Sequence, residues 1–279
     1  MPAVCSAIRF DLRRSGMLES RESRLAEACV IPFRDDNPTR SVPIVTIGLI
    51  AVNVAVYLYQ VVLPGLRQEL FIYTHAAIPA VLLGQVGLEQ VLPHQLLAAA
   101  HHYHIPILPV QPAWLTIFTA MFIHGGFMHI AGNMLYLWIF GNNVEDLLGS
   151  VRFIIFYFLC GTVAAALQIA FSLHSPVPMI GASGAIAGVL GAYYIKFPQA
   201  RVQCLVFLFL FITVIWLPAG LVLLLWFLLQ VLDSLGTLGR SGAPGGVAVF
   251  AHIGGFVAGW LLIRRFEPRR RRFVRSSYW

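Results

Sequence analysis

The chain has 279 residues, of which 58% are hydrophobic and only 11% are charged, and its mean hydropathy is +0.78. Soluble domains carry about 25% charged residues, so the composition excludes an ordinary soluble protein and predicts an integral membrane protein. The net charge of +7 is attributed to membrane topology and to contact with anionic lipid, and nucleic-acid binding is not expected.

Six apolar segments are candidate transmembrane helices, because a span needs about 20 apolar residues and fewer where protein shields it. Within the fifth segment, residues 202–216 precede Pro218 and are expected to form a re-entrant or interfacial piece; the alternative is that they are part of span 5. The candidate spans are 44–64, 127–141, 152–173, 180–195, part of 202–232 and 247–263.

Basic residues favour an even number of spans. Seven arginines precede the first span, and seven lie at or beyond the end of the last one. With six spans, Arg152, Lys196 and Arg201 fall on the same side, which puts 17 of the 19 basic residues in the cytoplasm.

The predicted fold is an all-α bundle of six transmembrane helices. It occupies residues 43–265, between a cytoplasmic basic segment at 1–42 and a cytoplasmic basic tail at 266–279.

Polar side chains cluster at one depth of this predicted bundle. Spans 2, 4 and 6 would all enter from the outer side, and their first turns contain HGGFMHIAGN, GASG and AHIGG. His129, Ser183 and His252 then lie roughly 5–10 Å below the helix starts. Ionisable residues inside a membrane cost about 2.5–3.5 kcal/mol on insertion scales, so they are candidates for function.

Small residues predict that the fourth and sixth spans touch. Gly184 beside Ser183 and Gly255 beside His252 belong to smooth helix faces that allow two backbones to approach closely. A serine hydroxyl becomes a nucleophile when an adjacent imidazole takes its proton. A Ser183–His252 dyad is therefore the economical interpretation, with Asp233 only a distant candidate for orienting the histidine.

Acyl transfer also needs hydrogen-bond donors for an oxyanion. His129 and Asn133 lie one turn apart on span 2, and the backbone amide of Ser183 near a helix start is a third donor. His124 is expected to point elsewhere and to order the entrance loop.

Each feature also has an ordinary explanation. A serine in a membrane helix often bonds back to a carbonyl, glycine pairs often mean packing alone, and intramembrane histidines also suit a transporter with a proton relay.

The HHYH stretch at 101–104 could bind metal, but a solvated or interfacial cluster is expected, and no metal or cofactor is predicted. The four cysteines lack metal or disulfide spacing and are expected to be structural.

Three motifs taken together resemble the rhomboid intramembrane serine proteases over roughly residues 30–265. They are H-x₄-H-x₃-N (His124, His129, Asn133), G-x-S-G (Gly181, Ser183, Gly184) and A-H-x-G-G (Ala251, His252, Gly254, Gly255). The stretch GNNVEDLLGS is similar to the family's loop after span 2, and IPFRDDNP looks like bacterial members.

The resemblance implies hydrolysis of peptide bonds in or near transmembrane helices of membrane-protein substrates. Ser183 would be the nucleophile and His252 the base and then the acid, while His129, Asn133 and the Ser183 amide would hold the oxyanion without a metal or cofactor. His124, Gly181, Gly184 and Gly255 would be supporting residues. A bacterial cell (inner) membrane with both termini cytoplasmic is expected, and no oligomeric state is predicted.

Two positions depart from the pattern of some members. Trp114 is followed by Leu115 and Thr116 rather than by arginine, and Ala187 stands where an aromatic ring would stack on the catalytic histidine. The main alternative is a rhomboid-like protein that binds transmembrane clients without cutting them, and the transporter also stays open.

Overall fold

The computed structural model describes residues 28–208, 211–237 and 249–268, with side chains outside that description at 28–30, 207–212, 230 and 233–237. The chain is mostly helical and contains one antiparallel sheet. The helices are α1 (Ile44–Val62), α2 (Gly65–His75), α3 (His94–His102), α4 (Phe127–Leu148), α5 (Ser150–Phe171), α6 (Ser183–Lys196), α7 (Ala219–Thr237) and α8 (Val249–Phe266), with short turns at Pro79–Leu82, Leu88–Val91 and 113–122. The strands are β1 (Ala28–Asp35), β2 (Arg201–Leu208) and β3 (Phe211–Pro218).

Three of the described helices, α1, α5 and α8, are long and apolar enough to cross a membrane. A fourth candidate arises if Ala113–Phe122 and α4, which meet at an 83° bend, form one broken span. By contrast, α6 has only 14 residues, or about 21 Å at 1.5 Å per residue against an apolar core of roughly 30 Å. Its residues from Ala185 to Tyr193 are all buried. The chain is an integral membrane protein in which a short helix is surrounded by longer ones.

The prediction of an all-α fold is wrong, because three strands form a sheet of order β1-β2-β3. Residues 202–216 were expected to be a re-entrant piece or part of span 5. Those of them that the structure describes, 202–208 and 211–216, belong instead to the paired strands β2 and β3, and β3 ends at Pro218 directly before α7. A uniformly apolar run has no periodicity that separates helix from strand. Its β-branched and aromatic residues suit a strand, and β1 supplies the pairing partner. Val202 and Cys204 of β2 pack into the core of the bundle.

A buried acidic residue of α4 holds the start of α1. Glu145 accepts hydrogen bonds from the backbone amides of Val45 (2.9 Å) and Thr46 (2.7 Å). It also accepts bonds from the hydroxyls of Thr46 (2.8 Å) and Ser150 (2.7 Å). The first amides of a helix have no intrahelical partner, so this carboxylate satisfies them and fixes α1 against α4 and α5.

A second polar contact ties the sheet to the helices. The hydroxyl of Tyr193 donates to Asp35 Oδ2 at 2.6 Å, and the side-chain amide of Asn143 donates to the same oxygen at 2.9 Å. Burial raises the pKa of the Asp35 carboxyl, and the bond from Tyr193 opposes that shift. The described part of the predicted basic segment 1–42 is therefore packed on the membrane domain. Residues 1–27 and 269–279, which hold most of the basic ends, lie outside the description.

Candidate active site

The helices α6 and α8 pack with their backbones in direct contact. A methyl group placed on Gly255 would overlap the carbonyl oxygen of Gly184, and one placed on Gly259 would overlap that of Gly188. Only glycine fits at such positions, because any side chain would push the two helices apart. The small-residue faces expected from the sequence do meet in the structure.

This packing brings together two side chains that are 69 positions apart. Ser183 is the first residue of α6, His252 lies near the start of α8, and His252 Nε2 is 2.7 Å from Ser183 Oγ. That distance is an ordinary hydrogen-bond length for an oxygen–nitrogen pair. His252 is buried and Ser183 is half-buried. An imidazole in this position can take the hydroxyl proton.

The residues before the serine make room for His129. Gly181 has φ +112°, a backbone conformation that side chains rarely allow, and a methyl group there would lie 2.7 Å from His129 Nε2. The amide of Gly125 donates to His129 Nδ1 at 3.3 Å. Since Nδ1 accepts, a neutral His129 ring carries its proton on Nε2, the nitrogen nearest Gly181.

Asn133 lies one helical turn beyond His129 and is fully buried. Among the described residues, neither its Oδ1 nor its Nδ2 has a hydrogen-bond partner, and Nδ2 is 3.7 Å from the methyl position of Gly181. A buried polar group without a partner costs about 1–3 kcal/mol, so a site that supplies the partner with a ligand is the natural explanation. Three donors therefore surround the loop before Ser183: His129 Nε2, Asn133 Nδ2 and the Ser183 amide at the helix start.

The sequence predicted that His124 points away from His129, but the structure places the two rings side by side. His124 is fully buried, and its ring lies 5.1 Å from that of His129 at an angle of 72°. Gln60 of α1 holds the backbone of His124 on both sides, donating to its carbonyl at 2.6 Å and accepting from its amide at 3.4 Å. Gln60 was missed, although a glutamine near the end of an apolar span was the available signal.

The aromatic neighbour of His252 comes from an unexpected helix. Ala187 carries no ring and faces Gly255 of α8. Trp226 of α7 lies beside His252 instead, with ring centroids 5.9 Å apart and an angle of 43°. The sequence did not predict this contact, because it depends on how α7 packs against α8. The side chain of Asp233 is outside the described residues.

A cavity of about 990 Å³ reaches both members of the pair. Its polar lining includes Ser183, His252, His129 and Gln168, and its size is at the upper end of typical ligand sites. Most of the wall is apolar, which suits the side chains of a transmembrane segment. The apolar lining includes Tyr73, Val91, Leu92, Phe127, Met128, Met179 and Ile180.

The sequence comparisons agree with the motifs. The rhomboid domain profile matches residues 111–267, more than half of the chain. The chain belongs to the rhomboid family.

Several rhomboid relatives align with part of it. Rhomboid protease GluP of Bacillus subtilis is 42% identical over 85 residues, which are 30% of this chain and 16% of that protein. Rhomboid protein 1, mitochondrial, of Saccharomyces cerevisiae is 30% identical over 175 residues, which are 58% of this chain and 46% of that protein. RHOMBOID-like protein 6, mitochondrial, of Arabidopsis thaliana is 31% identical over 151 residues, which are 52% of this chain and 41% of that protein. The chain thus spans less than half the length of each.

Of the remaining histidines and cysteines that the sequence singled out, those whose side chains the structure describes lie apart from Ser183 and His252. Among the described residues, no group of three or more His, Cys, Asp or Glu side chains is placed to hold a metal ion. His101, His102 and His104 are exposed. Cys160 and Cys204 are buried free thiols, while the side chains of Cys5 and Cys29 are outside the described part of the chain.

Proposed function

We propose that the chain is an intramembrane serine endopeptidase that hydrolyses peptide bonds in or near transmembrane helices of membrane-protein substrates. The observation that carries this proposal is the 2.7 Å contact between Ser183 Oγ and His252 Nε2 inside a large cavity. Membership of the rhomboid family agrees with it, and one relative is named a rhomboid protease.

The first half of the reaction follows from this contact. Neutral His252 takes the Ser183 proton on Nε2 as Oγ attacks the scissile carbonyl carbon, which forms a tetrahedral intermediate. His252 then gives the proton to the leaving amine, and the C–N bond breaks. In the second half, His252 deprotonates a water that hydrolyses the acyl-enzyme, and Ser183 regains its proton.

The oxyanion of each intermediate would be held by the donors on the other side of the serine. Asn133 Nδ2, His129 Nε2 and the Ser183 amide are the proposed set. The Asn133 side chain is buried and has no hydrogen-bond partner among the described residues, which supports this role, since the oxyanion would satisfy its donor. These groups complete the chemistry without a metal or cofactor.

The proposed topology has six crossings, with α4, α6 and α8 entering from the outer side and both basic ends in the cytoplasm. The domain limits remain those of the sequence: 1–42, 43–265 and 266–279. The proposed compartment is a bacterial cell (inner) membrane; one relative is from the bacterium Bacillus subtilis, whereas other relatives are named as mitochondrial. Reporter fusions to the two termini and to the loop at 174–180 test the topology, and cell fractionation tests the compartment.

An active-site probe tests the enzymatic proposal. Purified protein in detergent should be labelled by a fluorophosphonate and should cleave single-span substrates, and both Ser183→Ala and His252→Ala should abolish both signals. Ser41→Ala and His174→Ala are matched controls at exposed positions. Capture of a transmembrane client without labelling or cleavage would instead support the non-proteolytic binder, and absence of labelling, cleavage and capture would favour the transporter.

A further inference from the structure

Gln168 is a polar residue of the site that neither the motifs nor the mechanism uses. It lies near the end of α5, its side chain is half-buried, and it lines the cavity shared with Ser183 and His252. A glutamine in this position has two chemically different ends, an acceptor and a donor.

The acceptor end holds the helix that carries His252. The backbone amide of Ala251, one residue before His252, donates to Gln168 Oε1 at 3.1 Å. The same ends of α5 and α8 also meet where the rings of Phe171 and Phe250 stack at 4.2 Å with an angle of 2°. Because amides at the start of a helix need partners outside it, Gln168 fixes the segment from which the His252 ring projects.

The donor end is available to a ligand. A backbone amide can only donate, so the atom facing Ala251 must be Oε1, and the NH₂ group of Gln168 points elsewhere. Within the described part of the chain this NH₂ group has no hydrogen-bond partner, and the residue lines the cavity. A substrate helix that unwinds in the cavity loses its internal hydrogen bonds, so its backbone carbonyls need new donors.

We propose that Gln168 both positions His252 and binds substrate: Oε1 fixes the start of α8, and Nε2 donates to a backbone carbonyl of the unwound substrate segment. This inference rests on the proposed protease activity. The ligand chemistry is that of an extended polypeptide backbone, so the contact contributes to affinity without selecting a particular side chain.

Two substitutions separate the two ends. Gln168→Glu keeps an acceptor for Ala251 and loses the donor, whereas Gln168→Met has similar length and loses both. Gln203→Glu and Gln203→Met, in β2 and away from the cavity lining, are the matched controls. Since a carboxylate near His252 favours its protonated form, each variant is compared on the plateau of its own pH–rate profile.

The expected result is a split between KM and kcat. Gln168→Glu should raise KM about tenfold, the loss of one hydrogen bond, with kcat and the rate of fluorophosphonate labelling close to wild type. Gln168→Met should raise KM similarly and also lower kcat and the labelling rate about tenfold. The Gln203 variants should match wild type in both quantities.

The outcomes identify which claim fails. A wild-type KM in Gln168→Glu overturns the substrate contact. A wild-type labelling rate in Gln168→Met overturns the positioning role. Neither result affects the proposed function. A wild-type chain that neither labels nor cleaves overturns the proposed function and the substrate contact with it.

Discussion

Replacing Asn133 by leucine should reduce catalysis and increase stability at the same time. The two side chains have nearly the same shape, so Asn133→Leu removes the buried Oδ1 and Nδ2 atoms without opening a cavity. Both atoms lack hydrogen-bond partners in the part of the chain that the structure describes. Their removal relieves a desolvation penalty of about 1–3 kcal/mol for each unsatisfied group, so the free energy of unfolding should rise by about 1 kcal/mol or more.

The loss of activity has a separate origin. If Nδ2 donates to the oxyanion, its removal should lower kcat by about 10²–10³, or about 2.7–4 kcal/mol of transition-state stabilisation. KM should change little, because the oxyanion exists only after the attack. Cleavage of a single-span substrate in detergent micelles gives kcat and KM, and exposure of the buried thiols Cys160 and Cys204 to a thiol-reactive dye reports thermal unfolding.

A matched control is available in the same bundle. Asn53 is also fully buried, and its Oδ1 likewise has no partner among the described residues, but its Nδ2 donates to the carbonyl of Leu49 at 2.8 Å. Unlike Asn133, it is not among the side chains nearest Gly181. Asn53→Leu should leave kcat at the wild-type value and give no comparable rise in stability. An Asn133→Leu protein with wild-type kcat, or with a lower unfolding temperature than wild type, would refute this reasoning.

Three further substitutions test the scaffold around the site. Glu145→Ala should lower the free energy of unfolding by about 3 kcal/mol, because four donors to a buried carboxylate lose their partner; exposed Glu89→Ala is the control in the same thermal assay. Gly255→Ala should push α8 from α6 and abolish fluorophosphonate labelling, whereas Gly48→Ala, with no atom near the added methyl, should label normally. Trp226→Ala should lower kcat about two- to thirteenfold, the equivalent of 0.5–1.5 kcal/mol for an aromatic contact, and Trp226→Phe should restore most of the lost rate. Equal rates in both variants would contradict a positioning role for the ring.

The sequence by itself determined the membrane environment, the helices that carry the motifs and the approach of Ser183 to His252. These features depend on local quantities: hydropathy over a helix length, and small residues spaced along one helix face. A row of glycines along one helix face predicts close packing against any neighbouring helix. In this structure the glycine rows of α6 and α8 face each other.

Only the tertiary structure decided which elements the apolar run at 202–216 forms and which side chains support the site from other helices. A continuous apolar segment is compatible with helix or strand, and pairing with β1, about 170 residues earlier in the chain, favoured the strand. The contacts of Gln60, Gln168 and Trp226 likewise join segments that are distant in the chain. Such contacts follow from long-range geometry, which no periodicity within one segment encodes.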